Sequence, residues 1–339
     1  MTSAFRAFRV FDNGQGGGVA GRIVSMSLNE LSDGAVVIHA AYSSVNYKDA
    51  LACTGAGKIM RRFPLVGGID VSGTVESSAD GRFKPGDLVL VTGFDLGVAH
   101  DGGYGEYVRV PADWVVRVPD GLTPADVMAI GTAGFTAALS VLQLERHGLA
   151  PAAGPVIVTG ATGGVGSMAV QLLSTRGYRV TALTGKDAEH EYVRSLGAAE
   201  VLARGSVQMG TRPLEKATWA GAVDAVGGDT LAWLTRTMMY GGAIACSGLT
   251  GGTELRTTVM PFILRGVKLV GIDSVLCPMD VRLEAWRRLA RDVTSGARPG
   301  PLATMTREIS LDELPGAFQT LLSGGARGRF LVKLPSGSK

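Results

Sequence analysis

Charge is sparse in this chain, cysteine is sparser, and no recognisable metal-ligand spacing occurs. Asp, Glu, Lys and Arg make up 19% of the 339 residues, and 33 basic side chains stand against 30 acidic ones for a net charge of +3. With neither sign dominant and no basic stretch interleaved with aromatics, a nucleic-acid partner is excluded. The three cysteines, Cys53, Cys246 and Cys277, are odd in number, scattered and without a CxxC pair. That argues against a disulfide framework or a zinc knuckle and implies a reducing compartment. The four histidines, His39, His100, His147 and His190, share no ligand spacing, so no bound metal is expected. With only 14 prolines and 46% hydrophobic residues, the chain is neither disordered nor collagen-like.

Two long segments lack charge altogether, Val127 to Leu144 and Leu149 to Thr175. Each is long enough to span a bilayer, but the first has no Lys, Arg, Trp or Tyr anchors at its ends and the second carries two prolines and five glycines. Both are expected in a soluble interior. Arg6 and Arg9 precede any acid, as in a transit peptide, but Ala4 to Phe11 has the pattern of a first strand and no apolar leader core follows. The expected setting is cytoplasmic, without a membrane partner.

What is abundant is glycine, at 49 residues about twice the usual share. Up to about residue 124 the glycines punctuate short β-rich runs, Ala35 to His39, Gly73 to Glu76, Asp87 to Thr92 and Tyr107 to Val110. A helix is predicted over Ala125 to Arg146, and from there helices and strands alternate. Strands fall at Val156 to Thr159, Arg179 to Leu183, Gly221 to Asp224, Gly242 to Cys246 and Val267 to Ile272, a βαβ rhythm that predicts a doubly wound parallel sheet. Helices are predicted over Gly166 to Arg176, Ala188 to Leu196, Thr230 to Met239 and Asp280 to Val293. The tail returns to strands at Arg307 to Ser310 and Arg329 to Leu334, with a helix near Leu311 to Leu322. The expected fold is α/β, with a mostly β unit over 1–124, a nucleotide-binding unit over 125–298 and a C-terminal return over 299–339.

The most informative segment is Val156-Ile157-Val158-Thr159-Gly160-Ala161-Thr162-Gly163-Gly164-Val165-Gly166, followed by a helix expected to open at Ser167. Ala161, Gly163 and Gly166 fit an AxGxxG form of the dinucleotide fingerprint. Small residues there let backbone approach a pyrophosphate and let helix pack on strand, while the helix N-terminus offers free N–H donors. About 20 residues on, an NAD site places an acid against the ribose hydroxyls. Here the segment is Thr184-Gly185-Lys186, a set of donors suited to a 2′-phosphate, so NADP(H) is favoured. Asp187 leaves NAD open if its carboxylate turns inward. Asp224, ending a strand before a glycine pair, faces ligands or caps the next helix.

Ser44-Val45-Asn46-Tyr47-Lys48-Asp49, Gly67-Gly68-Ile69-Asp70-Val71-Ser72-Gly73, Lys84-Pro85-Gly86-Asp87, Gly103-Tyr104-Gly105-Glu106-Tyr107 and the glycine loop occur in the order found in the medium-chain dehydrogenase/reductase superfamily, which the chain resembles. Asn46 to Asp49, Thr184 to Lys186 and Pro261 to Val267 are most similar to its acrylyl-CoA reductase group, long labelled quinone oxidoreductases. The resemblance implies a GroES-like catalytic domain, a Rossmann domain set within it, and a homodimer. Asn46, Tyr47 and Ile69 stand where zinc members carry Cys and His ligands, so zinc-dependent alcohol oxidation is disfavoured.

Zinc-free members reduce an activated C=C bond with NADPH, which needs positioning and a donor at the substrate oxygen. By resemblance Tyr47 contacts the nicotinamide or the substrate and serves as a candidate proton donor, with Asn46 beside it as a second donor. Thr132 and Gly134, at the start of a helix, and Leu249, Ile263, Arg265 and Ser274 are implied on the nicotinamide side. An acyl-CoA carries several phosphates, for which Lys58, Arg61 and Arg62 are candidates, unless they are only a solvated charge run. The expected activity is reduction of a short enoyl-CoA, acrylyl-CoA first. Quinone reduction is the alternative, and non-catalytic NADP(H) binding the second.

Overall fold

Period-two burial builds the first unit. Along Val36–Val45 the side chains of Val36, Ile38 and Ala40 are buried while Val37 and His39 are half-buried, as a strand with one face on the core requires. This strand is central to a seven-stranded sheet, pairing with Asp70–Ser78, with Tyr107–Val110 and with the C-terminal Arg329–Lys333, all antiparallel. A smaller sheet joins Val19–Met26, Phe5–Asp12 and Leu65–Val66. Phe5, Phe8, Val10, Ile38, Val75, Val89, Val108 and Phe318 share one core. The computed structural model describes residues 4–14, 18–295 and 301–335 and divides into two compact units, Met1–Thr132 with Leu302–Lys339, and Ala133–Pro301. The border expected at 298–299 lies outside the described residues.

The second unit holds six parallel strands in the order Glu200–Ala203, Val180–Thr184, Val156–Thr159, Trp219–Asp224, Met238–Cys246 and Lys268–Gly271. Counted along the chain that is 3-2-1-4-5-6, the doubly wound order, in which the order of the strands reverses at the first strand. All four residues of Val156–Thr159 are buried, which suits a strand covered on both faces. Glu200–Ala203, an exposed Glu followed by three half-buried residues, was not foreseen.

The uncharged stretch from Val127 falls in the helix Pro124–Arg146, the one helix among the described residues long and apolar enough to cross a membrane, and 89% of that window is buried. The continuous helix expected from Ala125 is interrupted at Gly131, whose φ of 52° and ψ of −164° are not helical. Its reason lies in the first unit. A Cβ on Gly131 would meet Arg329 Nη2 at 2.3 Å, Ser44 Oγ at 2.7 Å and Asp70 Oδ2 at 2.8 Å.

Arg329 fastens the returning C-terminal strand. Its guanidinium, 3% exposed, donates from Nε to the carbonyl of Ala129 and from Nη1 to that of Val45, and lies 3.8 Å from fully buried Asp70. Replacing it by Met leaves Asp70 buried without its cation, so Arg329→Met is expected to cost about 3–5 kcal/mol in urea unfolding. A loss below about 1 kcal/mol would show that Asp70 is neutralised in another way.

Candidate active site

The strand Val156–Thr159 ends in Gly160, at φ +59°, and the helix Gly164–Thr175 begins four residues later. The helix therefore opens two to three residues before the position expected from sequence, and Gly164, Val165 and Gly166 form its first turn. Their N–H groups have no acceptor within the helix. A Cβ on Gly166 would lie 2.3 Å from Gly160 O and 2.7 Å from Ala161 Cα, so helix and strand approach only because the side chain is missing. Ala161 is fully buried and Thr162 nearly so. A Cβ at Gly163 meets nothing closer than 3.4 Å. This is the cradle a pyrophosphate needs, built in backbone.

The neighbouring strand Val180–Thr184 ends with Thr184 Oγ1 accepting from Lys186 N at 3.1 Å. Lys186 is half-buried, and desolvation pushes its ammonium below the usual lysine range, against the pull of Glu189. Asp187 instead leaves 82% of its side chain in solvent, 3.7 Å from His190. A residue that sequence reasoning missed stands beside them. The exposed guanidinium of Arg204 lies so close to Gly185 that a Cβ there would meet Nη2 at 2.9 Å. It comes from the turn after the next strand, where no motif marks it.

Other loops gather at the carboxyl edge of the same sheet. Asp224, fully buried, accepts from Thr159 Oγ1 at 2.6 Å and Gly227 N at 2.8 Å, and burial raises its pKa above the usual carboxylate range. It shapes the loop that starts the helix Gly228–Thr237. Gly248 backs onto the carbonyl of Ala225, with Leu249 55% exposed just after it. Ser274, half-buried beyond the edge strand, accepts from buried Arg282 through its carbonyl.

Ile263 and Arg265 correct the expectation. Arg265 donates to the carbonyls of Arg236, Met238 and Glu215, at the amino end of the Met238–Cys246 strand. Ile263 lies about half a helical turn away and is 71% exposed beside Val259 and Leu264. They belong to the opposite edge from the glycine loop.

In the first unit Asn46 caps the helix Tyr47–Thr54, with Asp49 Oδ2 accepting from its backbone N–H at 2.8 Å. Tyr47, half-buried, is the first helical residue, so its place follows from the cap. The Asn46 amide is 8% exposed and engaged on both ends. Nδ2 donates to Asp70 Oδ2 at 2.8 Å and Asp49 Oδ2 at 3.2 Å, while Oδ1 accepts from Arg329 at 3.0 Å. Asn46 thus holds the helix start and has no amide hydrogen left as a second donor to a ligand. Asp70 also accepts from Ser44 Oγ at 2.6 Å and from Thr132 through both Oγ1, at 2.5 Å, and N, at 2.9 Å. Thr132 can offer its N–H because the helix breaks at Gly131. Gly134, two residues on, is buried.

Lys58 is exposed. Arg61 pairs with Asp95 at 3.3 Å across an open surface, and Arg62 reaches Ser32 Oγ and buried Asp101. Both arginines line an open cleft of about 470 Å³ with Phe11, Asp12, Phe63 and Pro64.

Two family models match the chain, "Alcohol dehydrogenase GroES-like domain" over residues 32–120 and "Zinc-binding dehydrogenase" over 164–291. Zinc does not suit the residues present. Asp49 and Asp70 are surrounded by N–H and O–H donors, with the Arg329 guanidinium already supplying a cation beside Asp70. Among the described residues no cluster of three or more His, Cys, Asp or Glu could hold a metal. The acrylyl-CoA reductase AcuI of Ruegeria pomeroyi is 47% identical over 97% of this chain and 98% of its own length. The putative quinone oxidoreductase YhfP of Bacillus subtilis is 49% identical over 98% and 100%, and the crystal structure of yhfP with NAD bound matches with a TM-score of 0.94. YhdH of Escherichia coli K-12 with bound NADPH matches with a TM-score of 0.93 at 46% identity, covering 97% of this chain and 100% of that one. With 46–49% identity over nearly the whole of each chain, the chain belongs to the medium-chain dehydrogenase/reductase superfamily, with the acrylyl-CoA reductases and the quinone oxidoreductase-like proteins.

Proposed function

We propose that this protein is an NADPH-dependent reductase of the C=C bond of short α,β-unsaturated acyl-CoA thioesters, with acrylyl-CoA to propionyl-CoA as its foremost reaction. The observation that carries this reading is 47% identity to acrylyl-CoA reductase AcuI along almost the whole of both chains. When bound, NADPH supplies the hydride for the β-carbon of the enoyl thioester, and the α-carbon takes a proton. The residues of the loop, Ala161, Thr162, Gly163, Gly164, Val165 and Gly166, receive the pyrophosphate on first-turn N–H groups. Thr184, Gly185 and Lys186, joined by Arg204, bind the 2′-phosphate. The outward turn of Asp187 favours this over an NAD ribose clamp. Thr132, Gly134, Leu249 and Ser274 border the nicotinamide.

Tyr47 is the residue we assign to touch cofactor or substrate and to offer the proton, with Asn46 fixing its place through the helix cap. Lys58, Arg61 and Arg62 are the candidates for the CoA phosphates. Arg61 is favoured, because its surface pair with Asp95 is of the weakly held kind that a phosphate can replace. A second reading, quinone reduction, is favoured only by the name given to YhfP. A cytoplasmic setting fits three free thiols.

A homodimer is supported by the edge of the parallel sheet. Among the described residues Lys268–Gly271 has a strand neighbour on one side only, and Leu269, Val259, Ile263, Leu264 and Leu276 are all exposed on or near it. An open apolar strand edge is a template for another strand, and a second copy brings an identical one.

NADPH consumption in the presence of acrylyl-CoA, acrylyl-dephospho-CoA and a benzoquinone tests the reaction. Acrylyl-CoA is expected to be turned over, with KM raised about tenfold when the 3′-phosphate is missing. NADPH binding without consumption by any of the three would mark a non-catalytic protein. The double variant Lys186→Ala/Arg204→Ala is expected to weaken NADPH about tenfold or more and leave NADH binding unchanged by fluorescence titration. Equal losses for both cofactors would remove the 2′-phosphate assignment. Leu269→Lys is expected to shift the sedimenting species from dimer to monomer, and a wild-type monomer at micromolar concentration would end the dimer proposal.

A further inference from the structure

Two carboxylates and one guanidinium are buried together beneath the Asn46–Tyr47 helix start. Asp49 is 1% exposed, Asp70 fully buried and Arg329 3% exposed. If both acids ionise, the cluster carries one uncompensated negative charge where water does not reach, which proteins avoid. The donors decide which acid gives way. Asp70 receives two hydroxyls, one amide N–H and one backbone N–H, with Arg329 3.8 Å away. Asp49 receives the backbone N–H groups of Asn46 and Ile69 and shares the Asn46 amide with Asp70. The proton therefore belongs on Asp49.

The other titratable groups facing Asp49 are Cys53 and Tyr104, both buried and held neutral by burial and by the acids' charge. The Tyr104 hydroxyl interacts with Asp49 and donates to the carbonyl of Ser44 at 3.2 Å. It has a single hydrogen to give. With Asp49 protonated, the carboxylic O–H can donate to Tyr104 Oη, and Tyr104 to Ser44. With Asp49 ionised, the hydroxyl is drawn to the carboxylate and the bond to Ser44 is lost. Ser44 is also a donor to Asp70, so one ionisation disturbs both ends of the cluster.

We propose that Asp49 and Tyr104 are positioning residues whose shared proton sets the geometry of Asn46, Tyr47 and Thr132, making catalytic competence depend on a neutral Asp49. This rests on the reductase reading for its activity readout. The midpoint expected from burial and from the charge of Asp70 is about 7. One unit above a midpoint about a tenth of the acid remains protonated, so kcat/KM with acrylyl-CoA is expected to fall about tenfold there, with kcat carrying the fall.

The experiment measures that profile alongside the infrared carboxylic C=O band of the intact protein. Wild type should lose the band and the activity with one midpoint. Asp49→Asn should lack the band and show a flat profile through the same range, with folding checked by thermal melting. Tyr104→Phe, which keeps the ring and removes the hydroxyl, should raise the midpoint because ionised Asp49 loses a donor. A wild-type spectrum with no titrating band, or an Asp49→Asn profile that still falls, overturns the proposal. If acrylyl-CoA is not reduced at any pH, the reductase reading fails by itself, and the infrared titrations of wild type and Tyr104→Phe still decide whether the proton sits on Asp49.

Discussion

A carboxylate taken out of water must find donors, and Asp70 finds them in segments far apart along the chain. Ser44 and Asn46 come from the end of the central strand, Thr132 from beyond the helix break, and Arg329 from the returning C-terminal strand. Each contact dictates a local feature that no propensity would choose. Gly131 exists in a left-handed conformation because any side chain there would collide with Asp70, Ser44 and Arg329. The helix breaks so that Thr132 can turn its N–H to the acid. Asn46 surrenders its amide to the cluster and in return fixes the first turn that carries Tyr47. The order of these dependencies runs from one desolvated charge outward.

The second unit is organised by the opposite device, a site built from missing atoms. Gly166 lets the helix close on Gly160 and Ala161, and Gly248 lets a second loop close on Ala225. On the reading proposed above, the charges that discriminate between cofactors stand at the rim, on half-buried Lys186 and exposed Arg204. The backbone cradle serves any dinucleotide, whereas the rim reads the ribose. A relative crystallised with NAD and another with NADPH share this fold at nearly equal TM-scores, so the fold does not carry the preference. The proposed reading assigns it to the few side chains at the end of Val180–Thr184.

Much of this was legible in the sequence because it is local. The alternation of strands and helices after residue 124, the glycine loop after a β-branched run and the donors at Thr184 to Lys186 all depend on neighbours within a few residues. What escaped depends on partners that only folding brings near. Arg204 joins Gly185 from the far end of another strand. Arg329 meets Asn46 across 283 positions, and nothing around it marks it as buried. Arg62, exposed and basic, is tied to Ser32 and Asp101 rather than left free. The helix from Pro124 has no charge between Asp126 and Glu145 and only two glycines near its middle, so its periodicity conceals the break at Gly131. Ile263 and Arg265 were misplaced for a different reason, since a motif fixes chain order and leaves open the edge of the sheet on which its residues emerge.

The ionic cluster is poor value as a stabiliser. Buried ion pairs replaced by apolar side chains of equal volume often leave a protein as stable or more so, and an all-apolar version would spare the chain its strained glycine. Such a version could not accept the Thr132 N–H or hold the Asn46 amide from both sides, however, and those groups would then be buried without partners. The cluster is therefore coupled to the helix break and to the cap, and none of the three can be exchanged singly. What the charges provide is direction. A carboxylate fixed by four donors leaves its neighbours one arrangement, and the helix start bearing Tyr47 inherits that arrangement because its cap is one of the four.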